Sequence, residues 1–126
     1  MDITPQIPKN RNVINGYGVG NFKINEKIFE SSIILTPNQI VEISLESLEE
    51  FFEENLSKIL QEDPEILLVG TGKNHQIIST NLKNKIKAIY PNIAIDEMST
   101  ASACRTYNIL MMEDRKVAAL LLAINP

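Results

Sequence analysis

The chain has 126 residues, 44% of them hydrophobic and 22% charged, which fits one domain built on one core and leaves no room for a second. A net charge of −4 and a pI near 5.0 exclude the basic surface that sequence-independent phosphate-backbone binding requires, so nucleic acid is not an expected partner. One Cys excludes a disulfide framework and Cys-rich zinc patterns, and one His leaves little for a His-based centre; neither metal nor cofactor is expected, and a reducing cytoplasm is the expected location.

In chain order, residues 1–11 are polar and carry two Pro, and they read as a loose N-terminal tail ahead of a domain over residues 12–126. The first residues lack the apolar stretch of a signal peptide, and the longest apolar run, "VAALLLAI", falls far below the roughly 18 to 20 residues of a membrane span. Neither a leader nor an integral membrane segment is expected.

From Val13, "VINGYGVGNFKINEKIFESSIILTPNQIVEIS" reads as a β meander: short runs of β-branched and aromatic residues are separated by turn chemistry. "FKINEKIF" predicts a hairpin with Asn25 and Glu26 at its tip. Gly16, Gly18 and Gly20 permit close backbone approach. A phosphate-cradling loop would open a helix next, and a strand follows instead.

"SLEEFFEENLSKILQED" sets Leu48, Phe51, Phe52, Leu56, Ile59 and Leu60 on one stripe of a 3.6-residue period, with an acidic opposite face and a Ser47/Glu50 capping box. After Pro64, the apolar run "ILLV" bounded by Gly predicts a central strand buried on both faces. "STNLKNKIKAIY" predicts a second helix ended by Pro91. "IAIDEM" is a further strand, Ser99 to Met112 a third helix with Cys104, Tyr107 and Met111 on one stripe, and "KVAALLLAI" a last buried strand. The order is ββββ-αβαβα-β, an α/β domain whose alternating part implies parallel pairing.

In such a sheet, ligands sit outside the carboxyl ends of the parallel strands. Two such ends occur here, "GTGKNH" and "EMSTAS". Gly70, Thr71 and Gly72 are placed to bring backbone close to a ligand, Ser99 and Thr100 to cap the third helix, and Arg105 to meet an anion. The "GTG" is no dinucleotide fingerprint, because a third Gly is missing and no helix begins before about Ser79. Cys104 beside Arg105 raises the question of a reactive thiolate, but no His or acidic residue lies near it in sequence. His75 and Lys73 read as solvated loop residues, and Tyr107 and Asn108 as a polar anchor to a neighbouring loop backbone.

The ordered set "GYG", "GTG", "CRTYN" and "R-x-VAA" between Ile14 and Ile124 resembles a small α/β family of uncharacterised domains that includes mitochondrial respiratory complex I assembly factors and adipogenesis-associated relatives. The resemblance implies a three-layer domain with a mixed central sheet, no established reaction or cofactor, and a binding or assembly role. It departs where family members commonly carry Asp before Thr and this chain has Ser99-Thr100; other small residues at the Cys104 position in relatives favour packing there.

Two readings therefore stand. The first is a non-enzymatic binding or assembly-factor-like module that recognises a protein partner or a small anion through Gly70, Thr71, Gly72, Ser99, Thr100, Cys104, Arg105 and Asn108. The alternative is an enzyme or redox protein using Cys104. The sequence sets no oligomeric state.

Overall fold

A computed structural model describes residues 1–3, 10–43, 61–74 and 80–124. The amphipathic helix expected over residues 47–63 lies outside the described residues except at its end, where Gln61 and Glu62 form a turn.

The expected meander is present but carries five strands rather than four: β1 (Ile14–Gly18), β2 (Asn21–Ile24), β3 (Lys27–Phe29), β4 (Ser32–Leu35) and β5 (Ile40–Ile43). It also divides. β1, β2 and β3 form an antiparallel sheet of their own, whereas β4 and β5 join a second sheet with β6 (Ile66–Gly70), β7 (Ala94–Met98) and β8 (Val117–Leu121), in the order β5-β4-β8-β6-β7. The hairpin tip falls where expected: Asn25 (φ 50) and Glu26 (φ 68) take the positive φ values that a tight two-residue turn of matching twist demands. Asn15 Oδ1 accepts from the Glu26 N–H at 2.8 Å, and Asn25 Oδ1 from the Val13 N–H at 3.0 Å, so side chains close the turn onto β1.

In the second sheet, helices α1 (Thr80–Ile89) and α2 (Thr100–Met112) lie in the connections between β6, β7 and β8. β6 pairs in parallel with both β7 and β8, while β4 pairs antiparallel with β8, so the sheet is mixed. Strand alternation sorts the core into two halves. Leu67, Val69, Ala118 and Leu120 meet Ile86 of α1 on one face. Leu68, Val117, Ala119 and Leu121 meet Ala103, Cys104, Tyr107 and Met111 of α2, together with Ile14, Phe22 and Ile24 of the small sheet, on the other. The molecule is thus three layers deep. From β6 the chain crosses to β7 on one side, and from β7 back past β6 to β8, with the two helices on opposite faces, as two crossovers of the same hand require.

Residues 1–3, read from sequence as part of a loose tail, lie along the free edge of β1. Asp2 bridges Gly16, Ile3 N–H donates to Asn15 O at 3.0 Å and Tyr17 N–H to Met1 O at 3.2 Å. Main-chain pairing of this kind leaves no apolar pattern in the sequence. Gly16 makes it possible: a Cβ there would stand 2.9 Å from Met1 O.

Candidate functional site

At the carboxyl ends of β6 and β7 the chain turns to opposite faces of the sheet, which opens a crevice where ligands bind in sheets of this kind. Among the described residues it is a shallow, open depression of about 490 Å³ lined by Lys73, Asn74, Glu97, Met98, Ser99 and Ser102. Glu97 is almost buried on the α1 side of β7 and is ion-paired with Lys83 of α1. Ser99 caps α2, accepting from the Ser102 N–H at 3.3 Å and donating to Ser102 Oγ at 3.1 Å.

The expected "GTG" loop forms one wall, and its polar groups are already engaged. Thr71 N–H donates to Met98 O at 2.8 Å, and Thr71 Oγ1 lies 2.8 Å from Asn74 O and 3.1 Å from Met98 O. Gly72 N–H donates to Thr100 Oγ1 at 2.9 Å, and that hydroxyl donates to Leu122 O at 2.7 Å. Thr100, fully buried, therefore ties the ends of β6 and β8 to the start of α2. Gly70 allows the approach: a Cβ on it would fall 2.9 Å from Thr100 Cα. Gly72, at φ 102, takes a conformation that favours glycine. The Thr71 and Gly72 N–H groups of this loop are thus held inside the fold, not aimed at an anion.

The remaining candidates point elsewhere. Asn108 is buried, and its amide pairs with the backbone of Ile14, accepting from N–H at 3.0 Å and donating to C=O at 2.9 Å. The anchor read from sequence is present, but it holds a strand rather than a loop. Tyr107 is fully buried and its hydroxyl donates to Asn12 O at 2.8 Å. Cys104 is fully buried among apolar side chains. Desolvation pushes its thiol up from 9.0 to about 12, against a smaller opposing pull from Arg105. A reactive thiol requires the reverse shift and access. Arg105 stays outside the crevice: Nη2 donates to Tyr17 Oη at 2.8 Å and Met1 Sδ at 3.1 Å, with the guanidinium 5.7 Å from the Tyr17 ring centre.

Of the expected set, Gly70, Thr71, Gly72, Ser99 and Thr100 come together, and Cys104, Arg105 and Asn108 do not join them at the crevice. The sequence reading left out Lys73, which it took for a solvated loop residue, and Asn74, Glu97, Met98 and Ser102 as lining residues. The stretches "GTGKNH" and "EMSTAS" contain all of these; the Lys83–Glu97 pair had no local signal. His75 lies outside the described residues. Among the described residues, no group of three or more His, Cys, Asp or Glu is placed to hold a metal ion, and no helix is long and apolar enough to cross a membrane.

A family model described as "Protein of unknown function (DUF498/DUF598)" matches residues 14–122. The "13 kDa major membrane protein" of Francisella tularensis subsp. holarctica (strain LVS) is 29% identical over 108 residues, covering 84% of this chain and 86% of that protein. "NADH dehydrogenase (ubiquinone) 1 alpha subcomplex assembly factor 3" of Danio rerio is 29% identical over 112 residues, covering 87% of this chain but 63% of its own length. The chain thus spans less than two thirds of that assembly factor. Among solved structures, one described as an outer membrane protein from Bartonella henselae superposes with a TM-score of 0.77 at 34% identity, over 92% of this chain and 98% of that one. A "Mth938-like domain" from Bordetella pertussis has the same fold, with a TM-score of 0.77 at 23% identity over 99% and 94% of the two chains.

Proposed function

We propose, from the premise that this chain belongs to the family of proteins of unknown function whose model spans residues 14–122, that it is a non-enzymatic binding module of the assembly-factor kind. It recognises a protein segment or a small anion in the cytoplasm, through the crevice between the "GTG" loop and the start of α2. Relatives that carry the name of an assembly factor support a protein partner.

The observation that carries the reading is the split between buried and open groups around α2. Thr100 and Asn108 are bonded to backbone, and Cys104 is packed in hydrocarbon; each therefore supports the fold. Lys73, Asn74, Ser99 and Ser102 line the open depression. The ammonium, the amide and the two hydroxyls suit recognition of a carboxylate or phosphate, and the Glu97 carboxylate that also lines the depression is engaged by Lys83.

A benzophenone side chain placed at position 102 tests this in native lysate. A discrete adduct, lost when Lys73→Glu is added, supports the reading. Absence of any adduct, together with amide shifts at residues 71–74 and 99–102 that ignore added phosphate, overturns it.

A further inference from the structure

The outer face of α2 carries an apolar strip that the fold leaves uncovered. Ile109 is 57% exposed and Met112 40% exposed. Met1, 73% exposed, touches Arg105, one turn before Ile109, through its sulfur. Large apolar side chains grouped on a surface mark a contact site more often than isolated ones do.

Charges of opposite sign flank the strip. Arg105 lies four residues before Ile109, and Glu113, the C-cap residue of α2, four residues after it. Both are exposed. Among the described residues no carboxylate is ion-paired with Arg105 and no cation with Glu113. Arg105 is also held in place. Its bonds to Tyr17 Oη and Met1 Sδ both come from Nη2, and the Tyr17 ring lies under the guanidinium, so Nε and Nη1 stay available for a carboxylate. An Arg ordered in advance loses less freedom on binding.

We propose that this face docks on the same face of a second copy of the chain, with the two α2 helices antiparallel about a twofold axis through Ile109. Residues equidistant from the axis then stand level, so Ile109 meets Ile109 of the partner subunit and Arg105 stands level with Glu113 of the partner subunit. The symmetry repeats the pair, which makes the patch complementary to itself. The axes of packed helices lie about 8–10 Å apart, within the joint span of an Arg and a Glu side chain. An unrelated acidic partner would account for Arg105 alone. A second copy also supplies Glu113 with a cation, which it does not find among the described residues. The strip is short, and the affinity it confers is weak, in the micromolar class. This inference uses none of the residues of the crevice reading and stands or falls apart from it.

Sedimentation velocity of the full chain across the micromolar range tests it. The expected result is a concentration-dependent passage from monomer to dimer. Arg105→Glu and Glu113→Arg, each placing like charges level across the axis, weaken the dimer by about tenfold or more, and the double variant Arg105→Glu/Glu113→Arg restores it. Ile109→Asp gives a monomer with an unchanged circular dichroism spectrum. Should Arg105→Glu disturb folding by releasing Tyr17, Glu113→Arg and Ile109→Asp, both at exposed positions, carry the test by themselves. A monomer at every concentration, or a dimer indifferent to Ile109→Asp and Glu113→Arg, overturns the proposal.

Discussion

Buried on the inner face of α2, Cys104 keeps its proton to about pH 12 where an ordinary thiol loses it near 9.0, because a thiolate there would stand in hydrocarbon. The linkage has a definite sign. The folded-state value lies above the unfolded one, so between the two the unfolded chain has released a proton that the folded chain retains. The stability is whole below about pH 9 and falls as pH rises, by up to about 1.4 kcal/mol per unit from this one group. Cys104→Ala should therefore begin less stable than the parent, through the lost packing, and lose less between pH 9 and pH 10. Urea midpoints at the two pH values check this; identical losses would mean that the thiol ionises freely inside the fold. The burial of Cys104 was legible from its place on a stripe with Tyr107 and Met111. The setting of Arg105 was not, since its hydroxyl acceptor Tyr17 lies 88 residues away and nothing local announces it.

At the scale of elements, α2 joins the two sheets through a side chain that imitates a strand. Asn108 offers one acceptor and one donor to Ile14, the same pair of groups that a neighbouring strand would present. Replacing it with Ala leaves a buried N–H and a buried C=O without partners, each at about 1–3 kcal/mol. Asn108→Ala should lower the urea midpoint and speed amide exchange at Ile14 while leaving exchange in β6 and β8 close to the global rate. Unchanged protection at Ile14 would show that β1 is held by other contacts. The helices were readable because a 3.6-residue period survives in sequence without knowledge of partners. The division of the meander was less so, because β2 and β4 share strand-forming residues and differ in which faces are covered. A signal was present all the same. "SIIL" is buried at every position, as a strand covered on both faces must be, whereas "NFKI" alternates between buried and partly buried positions.

Across the whole molecule, the small sheet is tied at both ends of the chain. Residues 1–3 pair with β1, and Ile124 bridges Val19 while its carbonyl accepts from the Gly20 N–H at 2.8 Å. Removing residues 1–3 uncovers the edge of β1 and takes Met1 from Arg105. With about 1 kcal/mol lost, the melting temperature should fall by roughly 4 °C for a domain of this size. A transition unmoved by the deletion would mean that the edge pairing contributes nothing. This arrangement was hidden in the sequence because it rests on backbone groups that every residue carries. The strand order has a further consequence, in time. β8 follows every other described strand in sequence yet sits between β4 and β6, so the centre of the larger sheet is the part filled latest. At about 5–20 residues per second, a ribosome makes β6 several seconds before β8 is available, and until then β4 and β6 each lack a neighbour. During that interval the emerging chain presents open apolar strand edges, which makes the moment just before the ribosome completes β8 the one at which pairing with a foreign strand competes most directly with folding.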